Sequence, residues 1–171
     1  TARQLQWLGL DVTGVMTKSA AQFITPLSVA ALTSQKCYDD LFSLTDEAEM
    51  GHIRLARSAD LVLVMPATAS LMARAAAGLA DDLATTILLA TTAPVLMAPA
   101  MNPAMWTHPA TSANLTTLQQ RGVHMIGPNE GDTACGEIGS GRMSEPADIA
   151  AAAYQLAVKR PRLLAGKTAI V

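Results

Sequence analysis

The chain reads as an α/β protein built on a doubly wound parallel sheet, and three observations predict it. Strands and helices alternate along the sequence with mostly short connections, as stacked β-α-β units require. Leu61-Val62-Leu63-Val64-Met65 is apolar on both faces, the pattern of a central parallel strand covered by helices on each side. Half of the residues are hydrophobic, mostly Ala, Leu, Val, Ile and Met, yet only 4% are aromatic, which favours helices on a sheet over a β-sandwich. A length of 171 residues predicts a single domain with a substantial core.

The elements follow in order. Residues 1–8 read as the end of a helix stopped by Gly9. Residues 12–16 form a short strand, and Thr17-Lys18-Ser19-Ala20 starts a helix with Thr17 or Ser19 as N-cap. Such a strand-to-helix turn exposes backbone N–H groups suited to a phosphate, although ordinary capping explains it equally. Pro26 fits the first turn of a helix ending near Thr33. Residues 37–44 are ambiguous, and 46–49 form an acidic, solvated connection. Residues 51–57 make a short helix with His52 at its start. Pro66 is expected to end the central strand, after which Thr68 caps a helix over 69–77 and Gly78 stops it. Asp81 and Asp82 place negative charge at the start of the next helix, to about residue 89. A strand at 94–98 leads into a segment with Pro99 and Pro103, four positions apart, which forbids a helix interior and predicts a rigid irregular stretch. Pro109 opens a helix to Gln120 with Gly122 as C-cap, and 123–126 is a strand. Residues 127–146, with five glycines and two prolines, read as one long loop. A final helix runs from Pro146 to about 159. Residues 161–171 read as a linker and the first strand of a following domain, leaving 1–160 as the main unit.

Several function classes are excluded. The formal net charge of −2, with basic residues scattered, leaves no electrostatic footprint for nucleic acid. The longest apolar regions are broken by Pro66, Arg74, Pro94 and Pro99, so no membrane span is expected. Cys37 and Cys135 lie far apart without metal-ligand spacing, so no metal is expected and both read as thiols of a cytoplasmic protein.

Asn102 is the one polar amide in the Pro-rich segment, beyond the carboxyl end of a strand, where ligands of open parallel sheets gather. An amide there can donate to a carboxylate, or the segment can be a turn with Met and Trp packed beneath it.

Five motifs, in order, carry a resemblance: Gly51-His52-Ile53 with Ala59-Asp60; Pro66-Ala67-Thr68-Ala69; Gly78-Leu79-Ala80-Asp81-Asp82-Leu83; Ala98-Pro99-Ala100-Met101-Asn102 with Met105-Trp106; and Ala134-Cys135-Gly136 with Gly139, Gly141-Arg142-Met143 and Glu145-Pro146. Over residues 5–158 the chain resembles the flavin-dependent cysteine decarboxylases, and among them the phosphopantothenoylcysteine decarboxylases. The resemblance implies a Rossmann/flavodoxin-like fold, FMN as cofactor and 4′-phosphopantothenoyl-L-cysteine as substrate, converted to 4′-phosphopantetheine in coenzyme A biosynthesis. It also implies homotrimers with FMN between subunits, four of which join into a dodecamer when a phosphopantothenate-cysteine ligase domain is fused behind. That family begins with an apolar strand and a Gly/Ser phosphate loop, so this chain is expected to lack that first strand and half of the phosphate site.

Losing carbon dioxide from an ordinary amino-acid carboxylate leaves an unstabilised carbanion, and no side chain supplies the electron sink, so a cofactor must. By resemblance His52 is the catalytic base, Asn102 holds the substrate carboxylate, and Cys135 donates a proton to the reduced intermediate. Asp132, Thr133, Ala134 and Arg142 fall in the substrate-binding segment. Thr17, Lys18, Ser19, Thr68, Ala69, Ser70, Leu71 and Ala100 fall in the flavin-binding segments. His108 and His124 match no catalytic position, and Cys37 is expected to be buried. Two alternatives stay open: a peptidyl-cysteine oxidative decarboxylase, and a non-catalytic flavin-binding regulatory relative.

Overall fold

The computed structural model describes residues 1–41, 51–132, 136–158 and the backbone of 168–170. The acidic connection at 46–49, the residues Thr133, Ala134 and Cys135, and the linker at 161–167 lie outside the described residues. The elements are α1 (Ala2–Trp7), β1 (Asp11–Val15), α2 (Pro26–Thr33), β2 (Cys37–Tyr38), α3 (Gly51–Ser58), β3 (Leu61–Ala67), α4 (Ala69–Ala77), α5 (Leu83–Ala90), β4 (Val95–Pro99), α6 (Pro103–Trp106), α7 (Pro109–Gln120), β5 (His124–Met125), β6 (Asn129–Asp132), β7 (Ile138–Arg142), α8 (Pro146–Val158) and β8 (Thr168–Ile170). Six strands form a parallel sheet in the order β2-β1-β8-β3-β4-β5. β6 and β7 form a separate antiparallel hairpin.

Side-chain alternation along the central strands explains the two helix layers. Leu61 and Leu63 of β3, with Leu96 and Ala98 of β4, bury against Leu5 of α1 and Ile149, Ala150 and Ala153 of α8. The residues between them point the other way. Val62 packs with Ala56, Leu83 and Ile87 of α3 and α5, and Met97 with Met72, Ala76 and Leu118 of α4 and α7. Fully burying a side chain of this size contributes about 1.5–3 kcal/mol, so these strands hold both layers at once.

The doubly wound sheet is as the sequence predicts, with local differences. Residues 17–22 form a 3₁₀ turn at Ala20–Gln22 rather than an α-helix, and Thr17 Oγ1 accepts from the Ala20 amide at 3.1 Å. Pro66 does not end β3: the strand continues to Ala67 across a shift in register after Val64, and Ala67 pairs with Pro99. The Pro-rich segment is not wholly irregular, because Pro103 sits at the first position of the one-turn helix α6, where its missing N–H costs nothing. The long loop at 127–146 contains the β6–β7 hairpin. Its glycine-rich, polar strands lack the apolar alternation that marks a strand in sequence. Residues 168–170, expected to open a following unit, run between β1 and β3 in this sheet. Among the described residues no helix is long and apolar enough to cross a membrane.

The start of α5 is fixed by charge as well as packing. Asp82 Oδ1 accepts from the Thr85 amide at 2.8 Å, while Thr85 Oγ1 accepts from the Asp82 amide at 3.2 Å, a reciprocal cap. Arg74 of α4 reaches Asp82 at 2.7 Å and Asp81 at 3.1 Å. Burial alone would raise the Asp82 pKa, but hydrogen bonds from the Thr85 amide and Arg74 outweigh it and hold this carboxyl below the ordinary range. A depressed folded pKa contributes stability that is full above the unfolded value near pH 4 and is lost as pH falls through the folded value. Asp82→Asn keeps the cap and removes the ion pair. It is expected to lower stability by about 1 kcal/mol at neutral pH. In urea unfolding, the gap to wild type should close progressively below about pH 4; a gap that widens with acid contradicts the assignment.

Candidate functional site

A cavity of about 390 Å³ lies between the carboxyl ends of β1 and β3. It falls within the roughly 300–1,000 Å³ typical of ligand pockets. The chain leaves β1 toward β2 on one side and leaves β3 toward β4 on the other, so this is the topological switch point of the sheet. β8 pairs only with residues 11–13 and with Leu61 and Val62, and the cavity opens beyond it. Val15 and Met16 line one side and Val64 and Met65 the other.

Two turns supply hydroxyls to these apolar walls. Thr17 and Ser19 come from the turn after β1, and Thr68 and Ser70 from the turn after β3, with Leu71 beside them. Thr68 Oγ1 caps α4 by accepting from the Leu71 amide at 3.3 Å. Lys18 and Ala69, expected in the same group, do not line the cavity, and Lys18 is exposed. Alternation along a tight turn explains this: only some of its side chains can face one cavity. Ala100, directly after β4, does not line the cavity either; its amide donates to Ala67 O at 3.2 Å, directly before Thr68.

Arg74 went unremarked as a site residue in the sequence, yet it is the one charged side chain among the described residues lining the cavity. Its guanidinium is held by Asp81 and Asp82, and the hydrogen bond to Asp82 raises its pKa further above the usual value. A lone cation in an Ala-rich helix followed by two acids was the available signal.

Asn102 stands at the end of β4 in a fixed orientation. Its Oδ1 accepts from the Ala104 amide at 2.8 Å as N-cap of α6, so its Nδ2 must face outward as donor. That donor meets Glu137 Oε2 at 2.8 Å. Glu137 is a second residue that sequence reasoning missed, because 35 residues separate the pair and nothing in their spacing links them. The β6–β7 hairpin is docked here by backbone: the Met101 amide donates to Gly141 O at 3.0 Å. Gly141 has φ +157, and a Cβ built on it would lie 2.2 Å from Met101 O, so only glycine allows this approach. Asp132 ends β6 on the same hairpin and is exposed, and Arg142 ends β7 with its guanidinium paired to Glu145. Thr133, Ala134 and Cys135 lie outside the described residues.

His52 is the second residue of α3. Its Nδ1 is buried and has no hydrogen-bond partner among the described residues, an unusual condition for a ring nitrogen. It does not line the described cavity. His108 accepts from the Ala110 amide through Nδ1 as N-cap of α7, a structural role. Cys37 is half-buried rather than buried, and burial followed by the charge of Asp39 pushes its thiol pKa up, which makes it a poor nucleophile. Among the described residues no cluster of three or more His, Cys, Asp or Glu could hold a metal ion.

Residues 1–157 match the flavoprotein family. The chain is 48% identical over 159 residues to the coenzyme A biosynthesis bifunctional protein CoaBC of Vibrio vulnificus (strain YJ016), covering 93% of this chain and 40% of that protein. Identity to CoaBC of Escherichia coli (strain K12) is 50% over 147 residues, 86% of this chain and 36% of that protein. The chain therefore spans about two fifths of the length of the curated relatives it matches. Among solved structures, a PPC decarboxylase mutant complexed with pantothenoylaminoethenethiol matches with TM-score 0.71 at 30% identity, covering 91% of this chain and 92% of that one. The FMN binding protein AtHal3 matches with TM-score 0.75 at 30% identity, covering 95% and 94%.

Gly141→Ala tests whether backbone contact seats the hairpin against Asn102. The added methyl cannot coexist with Met101 O, and the strain is expected to destabilise the protein by about 1–3 kcal/mol. Amide hydrogen exchange should show the Met101 amide losing protection; wild-type protection would contradict this account.

Proposed function

The chain belongs to the flavoprotein family, and on that premise we propose that it binds FMN and decarboxylates 4′-phosphopantothenoyl-L-cysteine to 4′-phosphopantetheine. We further place it as the decarboxylase part of a cytoplasmic bifunctional protein carrying a phosphopantothenate-cysteine ligase, assembled as trimers that associate into a dodecamer. The observation that carries the reading is the Asn102 amide: its oxygen is committed to the helix cap, and its NH₂ is presented to a carboxylate.

The residues fit a flavin. Apolar walls from Val15, Met16, Ile24 and Leu71 suit a planar ring, and the hydroxyls of Thr17, Ser19, Thr68 and Ser70 suit a ribityl chain and phosphate. Bound FMN would supply the electron sink that no side chain provides. Phe23 lines the cavity while 92% exposed, which supports a cofactor covered by a second subunit. Lys18, Ala69 and Ala100 stay in the proposed cofactor set as near neighbours of that lining.

Each remaining residue has a task its chemistry allows. Asn102 binds the substrate carboxylate as a neutral donor. An arginine there would stabilise the charged ground state more than the departing neutral carbon dioxide, which does not lower the barrier. His52 takes a proton at the thiol-bearing end; its buried Nδ1, without a partner among the described residues, supports this, since buried ring nitrogens of structural histidines are mostly hydrogen-bonded. Cys135 donates a proton to the reduced intermediate, because a thiol with the ordinary cysteine pKa near 8.5 is largely protonated at neutral pH. Asp132, Thr133, Ala134 and Arg142 hold the rest of the substrate.

Incubation of FMN-loaded protein with phosphopantothenoylcysteine should show loss of carbon dioxide by mass spectrometry, and no product would refute the reading. His52→Asn is expected to lower turnover at least ~100-fold while flavin stays bound. Cys135→Ser should release or accumulate an oxidised, decarboxylated product in place of phosphopantetheine. Unchanged phosphopantetheine formation in either variant would remove that residue from the mechanism.

A further inference from the structure

The Asn102–Glu137 contact sets a problem that the decarboxylase reading alone does not solve. The donor assigned to the substrate carboxylate already holds a carboxylate, 2.8 Å away, supplied by the chain itself. The contact is not a chance meeting of two loops. Met101, directly before Asn102, is bonded through its amide to Gly141 O. A Cβ built on Gly139 would touch Pro103, directly after Asn102, at 3.0 Å, so the hairpin is seated against both neighbours of the amide. Glu137 stands one residue before β7, and the next side chain, Ile138, is 81% exposed. Here an isoleucine faces water while a glutamate reaches for the protein, the reverse of what burial alone selects.

We propose that Glu137 is a specificity-determining residue for the decarboxylase reading, on which this inference rests: an internal carboxylate that occupies the Asn102 donor until a substrate carboxylate displaces it. Two carboxylates drawn to one neutral amide compete for its NH₂ group and repel each other. Ligands bearing a carboxylate therefore bind against competition from Glu137, and ligands lacking one do not. Once carbon dioxide has left, Glu137 returns to the amide, and the product no longer contests it. The contact is exposed, so its net strength is small enough for a substrate to overcome.

The test uses FMN-loaded full-length protein and two unreactive probes, 4′-phosphopantothenoyl-L-serine and its decarboxylated counterpart, 4′-phosphopantothenoyl-ethanolamine. Titration calorimetry measures both against wild type, Glu137→Gln and Glu137→Ala. Both variants are expected to bind the serine probe about tenfold more tightly than wild type, with the ethanolamine probe unchanged within about twofold. Parallel changes for both probes, or no change in either folded variant, overturn the inference while leaving the decarboxylase reading intact. Failure of wild type and both variants to bind either probe overturns both.

Discussion

The register between β3 and β4 is the constraint on which the rest depends. Val62, Leu63 and Val64 pair with Val95, Leu96 and Met97, and after the shift Ala67 meets Pro99. The Ala100 amide then donates to Ala67 O. That last bond places the start of α4, with its cavity-lining hydroxyls, beside the chain leading to Asn102. A slip of one residue would exchange the faces of Leu61, Leu63, Leu96 and Ala98 with those of Val62 and Met97, so neither helix layer would find its apolar surface. The packing that builds the core therefore also sets the site, and the local irregularity after Val64 falls where the strand stops serving the core and starts serving the cavity.

The one charged side chain lining the cavity among the described residues is paired. Arg74 enters the cavity wall already bound to two carboxylates at the start of α5. This ties α4 to α5 across the turn at 78–82 and keeps a cation beside a largely apolar space without leaving it unbalanced. At the other end of the site, Asn102 achieves direction without charge: a backbone amide fixes its oxygen, and the remaining two protons have only one way to point.

The fold was largely legible in the sequence, because its evidence is local. Leu61 to Met65 is apolar on both faces, Thr68 and Asp82 are caps, and Gly78 takes φ +71 after α4. The misses share a physical reason. Pro66 and Pro99 occur inside strands because each sits at an irregular end of the β3–β4 ladder, where a donor is not required. The β6–β7 hairpin is held by backbone contact with Met101 rather than by an apolar face, so it leaves no periodic trace. In the site, Thr17, Ser19, Thr68, Ser70 and Leu71 come together as expected, whereas Glu137 was invisible because its meaning lies in a partner 35 residues away.

The choice of an amide at 102 gains a second reason from Glu137. Had an arginine stood there, the same hairpin would bring Glu137 within reach of a guanidinium, and the pair would close as a bidentate ion pair. Such a contact is directional, doubly bonded and slow to surrender to an incoming carboxylate. An amide offers the carboxylate a neutral NH₂ group, and its oxygen already accepts from the Ala104 N–H. The interaction is specific in geometry yet weak in energy, which is the condition for exchange: strong enough to keep the donor oriented and covered, weak enough to be replaced by a ligand that brings binding energy from elsewhere. On the proposed reading, the neutral side chain would serve the binding step and the departure of a neutral product by the same physical property.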